Sequence, residues 1–350
     1  MNKVGTPSHI LLLGAGFSRN WGGWLADEVV NYLLSAPEVS SDPHLKDVIW
    51  RNADSGFESA LEEVQLASAN ELSSEETRQQ LAAFERALIR MFTEMNGAFF
   101  KEPNFEFSNQ VALSVRGFLA NFDAIFTLNQ DLLLEHHYID NFNVSLVSPR
   151  RWDAVQIPGL RRFPHEEPLF SGSWARASWQ PLPDVEFSIS TRSQPYIKLH
   201  GSSNWFSADG QRVLVMGSNK TGQIQRHKIL SRYALEFRTR ISIPDTRLVV
   251  IGYGFKDHHI NKDIAQAVFQ HNLKMFVVSP EGRNAAKAFS GGPHPEAALV
   301  AFGYDLKEVF RRGFDGASQR PLSEIFGGSD PDHSRLLSFI GMNRRAREGI

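Results

Sequence analysis

The sequence contains no cysteine. That excludes disulfides, a thiolate nucleophile and cysteine-ligated zinc. Charge of one sign is also scarce: 37 Lys and Arg stand against 39 Asp and Glu, a formal net charge of -2. A mainly electrostatic nucleic-acid binder is therefore not expected, and nucleic acid is expected to matter only indirectly if at all. No run approaches the roughly 20 apolar residues of a membrane span. The first apolar run, Ile10–Leu13, is too short for the core of a signal peptide and leads directly into glycines. The expectation is a soluble, cytoplasmic protein without membrane contact. No metal is expected. Among twelve histidines, the adjacent pairs His136-His137 and His258-His259 lack the spacing that sets two ligands on one helix face, and surface or core roles suit most of them better.

What is present is a chain of 350 residues with 42% hydrophobic content, enough for one large domain or two modest ones. Five short apolar runs read as strands: Ile10–Leu13, Ala124–Thr127, Tyr196–Leu199, Leu248–Ile251 and Lys274–Val278. They hardly alternate, as expected for strands covered on both faces of a parallel sheet. A sixth is expected near Ala298–Phe302, followed by a helix from Asp305 to Arg312. Residues 35–120 are rich in helical periodicity; in one segment Leu81, Phe84, Leu88, Met91 and Phe92 share a face. A simple crossover needs only about 30 residues, so a helical subdomain inserted after the first strand is predicted, its apolar stripes serving as core. The fold class expected is α/β, a Rossmann-like parallel sheet covered by helices, with that large helical insertion.

The domain boundaries expected are 1–34, 121–144 and 195–315 for the sheet domain and 35–120 for the helical insertion. Residues 145–194 form a Pro-, Trp- and Arg-rich ordered loop, of the kind that serves as a lid or contact surface, and 316–350 a solvated tail. Residues 206–228 read as a hairpin.

Each strand ends in a polar or glycine-containing turn, and in open α/β sheets ligands bind outside the carboxyl ends of the strands. Gly14-Ala15-Gly16-Phe17-Ser18 follows the first strand and opens a helix, where glycines and free N–H groups suit a pyrophosphate. A tight strand-to-helix turn explains the same residues about equally well. The dehydrogenase fingerprint is broken, because Arg19 holds the third glycine position and no acidic residue ends a second strand in the usual place. Thr127-Leu128-Asn129-Gln130-Asp131 offers amide and carboxylate groups at the second strand tip, although Asn or Asp there also serves as a helix cap. His200, followed by Gly201 and small polar residues, is placed as a general base near its ordinary pKa. Gly252 and Ser279, in the turns GYGFKD and SPEG, suit nucleotide contact or plain turn chemistry.

Together GAGFS, TLNQD, KLHGSSNW, IGYGFKD and VVSP resemble, in order and relative spacing, the Sir2 superfamily. The likeness is closer to the prokaryotic Sir2-like NAD hydrolases of anti-phage defence than to protein deacylases. The deacylase Pro-Asp-Phe-Arg segment is absent, with Trp21-Gly22-Gly23-Trp24 in that region, and so are the four zinc cysteines. The resemblance implies NAD as substrate, with Asn129 and His200 as the catalytic pair. It further implies Gly14, Ala15, Gly16, Phe17, Ser18, Arg19, Thr127, Asp131, Gly201, Gly252 and Ser279 around the dinucleotide. The tryptophan-glycine segment is expected to cover the nicotinamide end. Cleavage of the nicotinamide–ribose bond, NAD depletion, a homo-oligomer and a HerA-type ATPase as possible activator follow from the same resemblance. Two other readings fit the residues: an NAD-dependent protein deacylase, and a non-catalytic NAD- or ADP-ribose-binding sensor or scaffold.

Overall fold

The computed structural model describes residues 7–70, 73–101, 108–148, 151–163, 173–217, 219–284, 306–328 and 330–342. Its centre is a seven-stranded sheet in the order β11-β10-β9-β1-β2-β6-β3. These strands are β1 (His9–Leu13), β2 (Ala124–Thr127), β3 (Ala154–Gln156), β6 (Ser193–Lys198), β9 (Arg247–Ile251), β10 (Lys274–Val278) and β11 (Phe314–Ser318). Every neighbouring pair is parallel. Ile10–Leu13 and Leu248–Ile251 are almost wholly buried at every position, and so are Met275–Val278. That is why these strands do not alternate: helices cover both faces, so both sets of side chains lie in the core.

From β1 the chain moves to β2 on one side, and later to β9 on the other. The β1/β9 seam is therefore the point where strand order reverses, the usual place for a ligand crevice in such sheets. The architecture is Rossmann-like. A smaller sheet, β4-β5-β7-β8, adjoins it, built from β4 (Leu160–Arg162), β5 (Trp179–Pro181), β7 (Gly201–Phe206) and β8 (Arg212–Leu214).

Among the described residues, seven α-helices follow β1 before β2 is reached: α1 (Ala15–Arg19), α2 (Ala26–Ser35), α3 (Pro37–Ser40), α4 (Pro43–Arg51), α5 (Phe57–Ala69), α6 (Glu75–Phe99) and α7 (Asn109–Leu119). Local signals set their starts. Asp42 accepts from the Leu45 N–H at 2.9 Å with Pro43 at the first helical position, and Ser74 accepts from the Thr77 N–H at 3.1 Å ahead of Glu75 and Glu76. The stripe Phe84, Leu88, Met91 and Phe92 is buried as expected. Later helices are α8 (Lys220–Arg226), α9 (Lys228–Ile241), α10 (His258–His271), α11 (Leu306–Gly313), α12 (Leu322–Ile325) and α13 (Pro331–Phe339).

Several expectations need correction. The strand expected at Ala298–Phe302 lies outside the described residues. Among the described residues the sheet gains β11, which follows the helix and was not expected. Residues from 316 onward are consequently not a solvated tail up to 342: they complete β11 and form α12 and α13, with Leu322, Ile325, Leu336 and Ile340 buried. The 206–228 segment is half hairpin, because β7 and β8 pair antiparallel but Lys220–Arg226 is helix, capped by the Asn219 side chain on the Gly222 N–H at 3.0 Å. The described part of 145–194 is sheet material rather than lid. It supplies β3, β4 and β5, and Trp174 stacks on Trp179 with ring centroids 3.8 Å apart.

Candidate functional site

A cleft of about 820 Å³ opens at the carboxyl ends of the large sheet. A second depression, of about 660 Å³, lies at the opposite ends of the strands beside His9, Arg247 and Asp315. It gathers none of the strand-end turns, so the first is the candidate site.

The glycine turn forms its floor. Gly14 N–H donates to the Ile251 carbonyl and Gly16 N–H to the Gly252 carbonyl, each at 3.0 Å, and Phe17 N–H donates to the Gly14 carbonyl at 2.9 Å. The glycines are needed chiefly for one another. A Cβ on Gly14 would stand 2.6 Å from the Gly252 oxygen, and Gly252, at φ +65°, would drive any Cβ into the Phe17 backbone. Two turns thus meet backbone to backbone at the switch point. Their hydrogen bonds consume much of the donor supply, which leaves the Ala15 N–H at the head of α1 and the Arg19 guanidinium for an anion. Arg19 is half exposed and pairs with Glu28 at 3.2 Å.

Asn129 stands just beyond β2. Its backbone N–H donates to the Thr127 hydroxyl at 3.0 Å, and its amide nitrogen donates to the Gly14 carbonyl and the Ser18 hydroxyl, both at 3.0 Å. Both amide hydrogens are thereby spent on the glycine turn, so the side chain has its oxygen left to offer. Asp131 lines the same wall, its carboxylate accepting from the Leu133 N–H at 3.1 Å.

His200 occupies the two-residue junction at which the chain leaves β6 and enters β7. Gly201 makes that exit possible: its φ is +76°, and a Cβ there would strike the Val213 carbonyl. His200 is buried, and its Nε2 lies 3.1 Å from Nε2 of His259, in the first turn of α10. Burial pushes the His200 pKa down to about 3, opposed by Asp257 and reinforced by Lys220 and His259. The expectation of an ordinary histidine pKa is thus overturned by desolvation. His259 is held down to about 4 for the same first reason. Both rings are neutral at pH 7.

Behind the histidines, Lys220 donates to Asp257 Oδ1 and to Glu58 Oε2, at 2.8 Å each. Burial opposes charge on Asp257, but Lys220 and the histidines outweigh it and hold the carboxyl down at about 2. Lys220 is driven the other way: burial disfavours its charge, yet the two carboxylates raise its pKa. This clamp joins α5 of the insertion to α8 and to the N-terminus of α10. One atom from each of His200, Asp257 and His259 lies within 4.8 Å of the others, close enough to meet on one metal ion. The expectation of no metal was drawn from histidine spacing along the chain, which did not reveal this cluster; its one carboxylate also carries the Lys220 ammonium.

Of the residues expected at the site, the cleft gathers Gly14, Ala15, Gly16, Arg19, Asn129, Asp131, His200, Gly252 and Ser279. Phe17, Ser18, Thr127 and Gly201 stand behind it. Phe17 is core, against Trp21 with ring centroids 5.0 Å apart, while Ser18 and Thr127 orient Asn129. The tryptophan-glycine segment divides: Trp24 lines the cleft, whereas Trp21 is buried. Sequence reasoning did not find His259, Lys220 or Glu58. The signal available for His259 was its place directly after the GYGFKD turn, at the opening of a helix. The insertion also does more than fill core, since Met91, Phe92 and Met95 line the cleft.

No protein-family model matches this chain, and no curated protein matches it.

Proposed function

We propose that the protein hydrolyses NAD at the nicotinamide–ribose bond, giving nicotinamide and ADP-ribose. The observation that carries this reading is convergence. Asn129 and His200, from separate motifs, end adjacent strands β2 and β6 and open on one cleft with the Gly14–Gly16 and Gly252 turns and Ser279. A volume of about 820 Å³ suits a dinucleotide-sized ligand, within the usual range of about 300–1,000 Å³.

The chemistry matches these residue types. Nicotinamide in NAD carries positive charge and departs neutral, so no acid must protonate it and the paired carboxylates of common glycosidases are unnecessary. The site has to place a water and stabilise a cation-like sugar. The Asn129 oxygen, fixed by the two bonds on its nitrogen, can accept from that water or from a ribose hydroxyl. Neutral His200 can accept the proton the water loses. Ala15 and Arg19 serve the pyrophosphate. Ser279, whose hydroxyl donates to the Glu281 carboxylate, serves the adenosine ribose. An enzyme of this kind depletes NAD, so its turnover needs control by oligomerisation or by a partner such as a HerA-type ATPase, in keeping with a defence role.

The experiment is NAD turnover followed by product chromatography. His200→Ala and Asn129→Ala are each expected to lower turnover at least 1,000-fold, on the order of 4 kcal/mol of barrier, with unchanged circular dichroism. Wild-type turnover in both variants would falsify the assignment. Nicotinamide release that required an added acyl-lysine peptide would replace it with deacylation, and intact NAD bound without turnover would replace it with a sensor.

A further inference from the structure

We propose that His259 is a positioning and relay residue for His200, taking over the proton that His200 accepts. This rests on the hydrolase reading of the cleft and adds to it a second residue. The two Nε2 atoms are 3.1 Å apart, a hydrogen-bond distance. Two neutral imidazoles can make that bond in one way only: one ring carries its proton on Nε2 and donates, the other carries it on Nδ1 and accepts. Exactly one ring then keeps a basic nitrogen, the Nδ1 of the donor. With His200 as donor, its Nδ1 is that base, and it has no protein partner among the described residues.

The step balances. The water oxygen forms its bond to the ribose C1′ as the glycosidic C–N bond breaks, and that electron pair leaves with nicotinamide. The water proton goes to His200 Nδ1. The proton on His200 Nε2 passes to His259 Nε2, and His259 becomes an imidazolium. It is the better place for the charge because it is less deeply buried than His200, while Asp257 favours charge on either ring. The proton reaches solvent when products leave. The Lys220–Glu58 clamp fixes Asp257 for this task and keeps its carboxylate ionised. The same ammonium disfavours a metal ion as the alternative reason for two facing imidazoles.

Two measurements test this. The first is nitrogen-15 spectroscopy of the histidine rings at pH 7 without NAD. It is expected to show His200 protonated on Nε2 and His259 on Nδ1, with the His200 pattern changed in His259→Gln. The second is turnover. His259→Gln and His259→Ala are expected to lower kcat 10- to 100-fold while the Kd for NAD stays within twofold. Free imidazole should restore at least tenfold to His259→Ala and nothing to His200→Ala.

Wild-type kcat in His259→Ala overturns the relay and leaves the hydrolase reading standing. A lowered kcat that imidazole does not restore shows a merely structural role and also overturns it. So does the opposite tautomer assignment, or one metal ion per chain in the purified protein by elemental analysis. Absence of NAD turnover in the wild type, with the tautomer pair observed, fails the hydrolase reading and upholds the coupled pair.

Discussion

Two lysines in this molecule, Lys198 fully buried and Lys220 partly so, hold carboxylates by nearly the same chemistry, yet they stand in very different places. Lys198, at the end of β6, donates to Glu135 Oε1 at 2.6 Å and to the Asp131 carbonyl, and Tyr196 donates to Glu135 Oε2 at 3.3 Å. Both charged side chains are sealed, at 0% and 1% exposure. Burial drives the Glu135 carboxyl up, and Lys198 pulls it back. Lys220 is likewise clamped between Glu58 and Asp257, but its cluster opens on the cleft and continues into two histidines. The first cluster is closed on itself and joins the β2 and β6 strand ends that carry Asn129 and His200. The second ends in a histidine pair of which His200 lines the cleft. A buried ion pair is thus not by itself a sign of function; what distinguishes the second is that it borders the cleft.

The sharpest way to break that comparison is to remove each lysine. Lys198→Met leaves the Glu135 carboxylate buried without a partner and should destabilise the fold by about 3–5 kcal/mol. Urea unfolding would show it, and Lys198→Met with Glu135→Leu should recover most of the loss. Lys220→Met should cost only about 1–2 kcal/mol, because its cluster reaches water, while lowering NAD turnover at least tenfold. Equal stability losses, or a Lys220 variant with full turnover, would erase the distinction.

Acid sharpens it further. An unfolded imidazole titrates near 6.5, whereas folded His200 and His259 are held by burial to about 3 and about 4. Between those values the unfolded chain binds more protons, so stability falls as pH drops below about 6.5 and keeps falling until the folded rings protonate. Each histidine contributes a slope approaching about 1.4 kcal/mol per pH unit. His137, which burial also holds to about 3, adds to it from outside the cleft. Asp257 acts lower down: its depressed carboxyl adds stability above its unfolded pKa near 3.8, lost as pH falls toward about 2. Unfolding free energies at pH 7, 6 and 5 should therefore drop steadily, and less steeply in His259→Gln. An unchanged slope in that variant would mean His259 is not buried and neutral in solution.

How much of this was legible in the sequence follows from the range of each interaction. Strands such as Lys274–Val278 and Ala124–Thr127 were readable residue for residue, because a run buried on both faces announces itself locally. The strand Phe314–Ser318 was not: Phe-Asp-Gly-Ala-Ser has almost no apolar run, and only pairing with β10 makes it a strand. The glycine turns were legible as turns, but not their reason, which is that Gly14 and Gly252 press on each other across the sheet seam. Asn129 and His200 could be singled out at strand tips. His259 could not, because the 3.1 Å contact that matters joins residues far apart in sequence and exists only once β6 and α10 are placed. Ser18 and Thr127 read as ligand contacts, but their hydrogen bonds to Asn129 were not legible.

The smallest effect concerns a third pair, which supplies the baseline for the other two. Arg192 bonds Asp153 through two nitrogens at 2.5 Å, beside the junction of β3 and β6, yet both side chains are more than half exposed. The aspartate is shifted down and the arginine up, each first by their mutual hydrogen bond, whereas at the two lysine clusters burial comes first. Water and salt screen such a pair, and its long side chains lose freedom in forming it. Arg192→Ala should leave the urea midpoint and NAD turnover at wild-type values in 0.15 M salt. A midpoint shift matching that of Lys220→Met would mean that geometry alone, rather than burial and contact with the cleft, sets what an ion pair is worth in this fold.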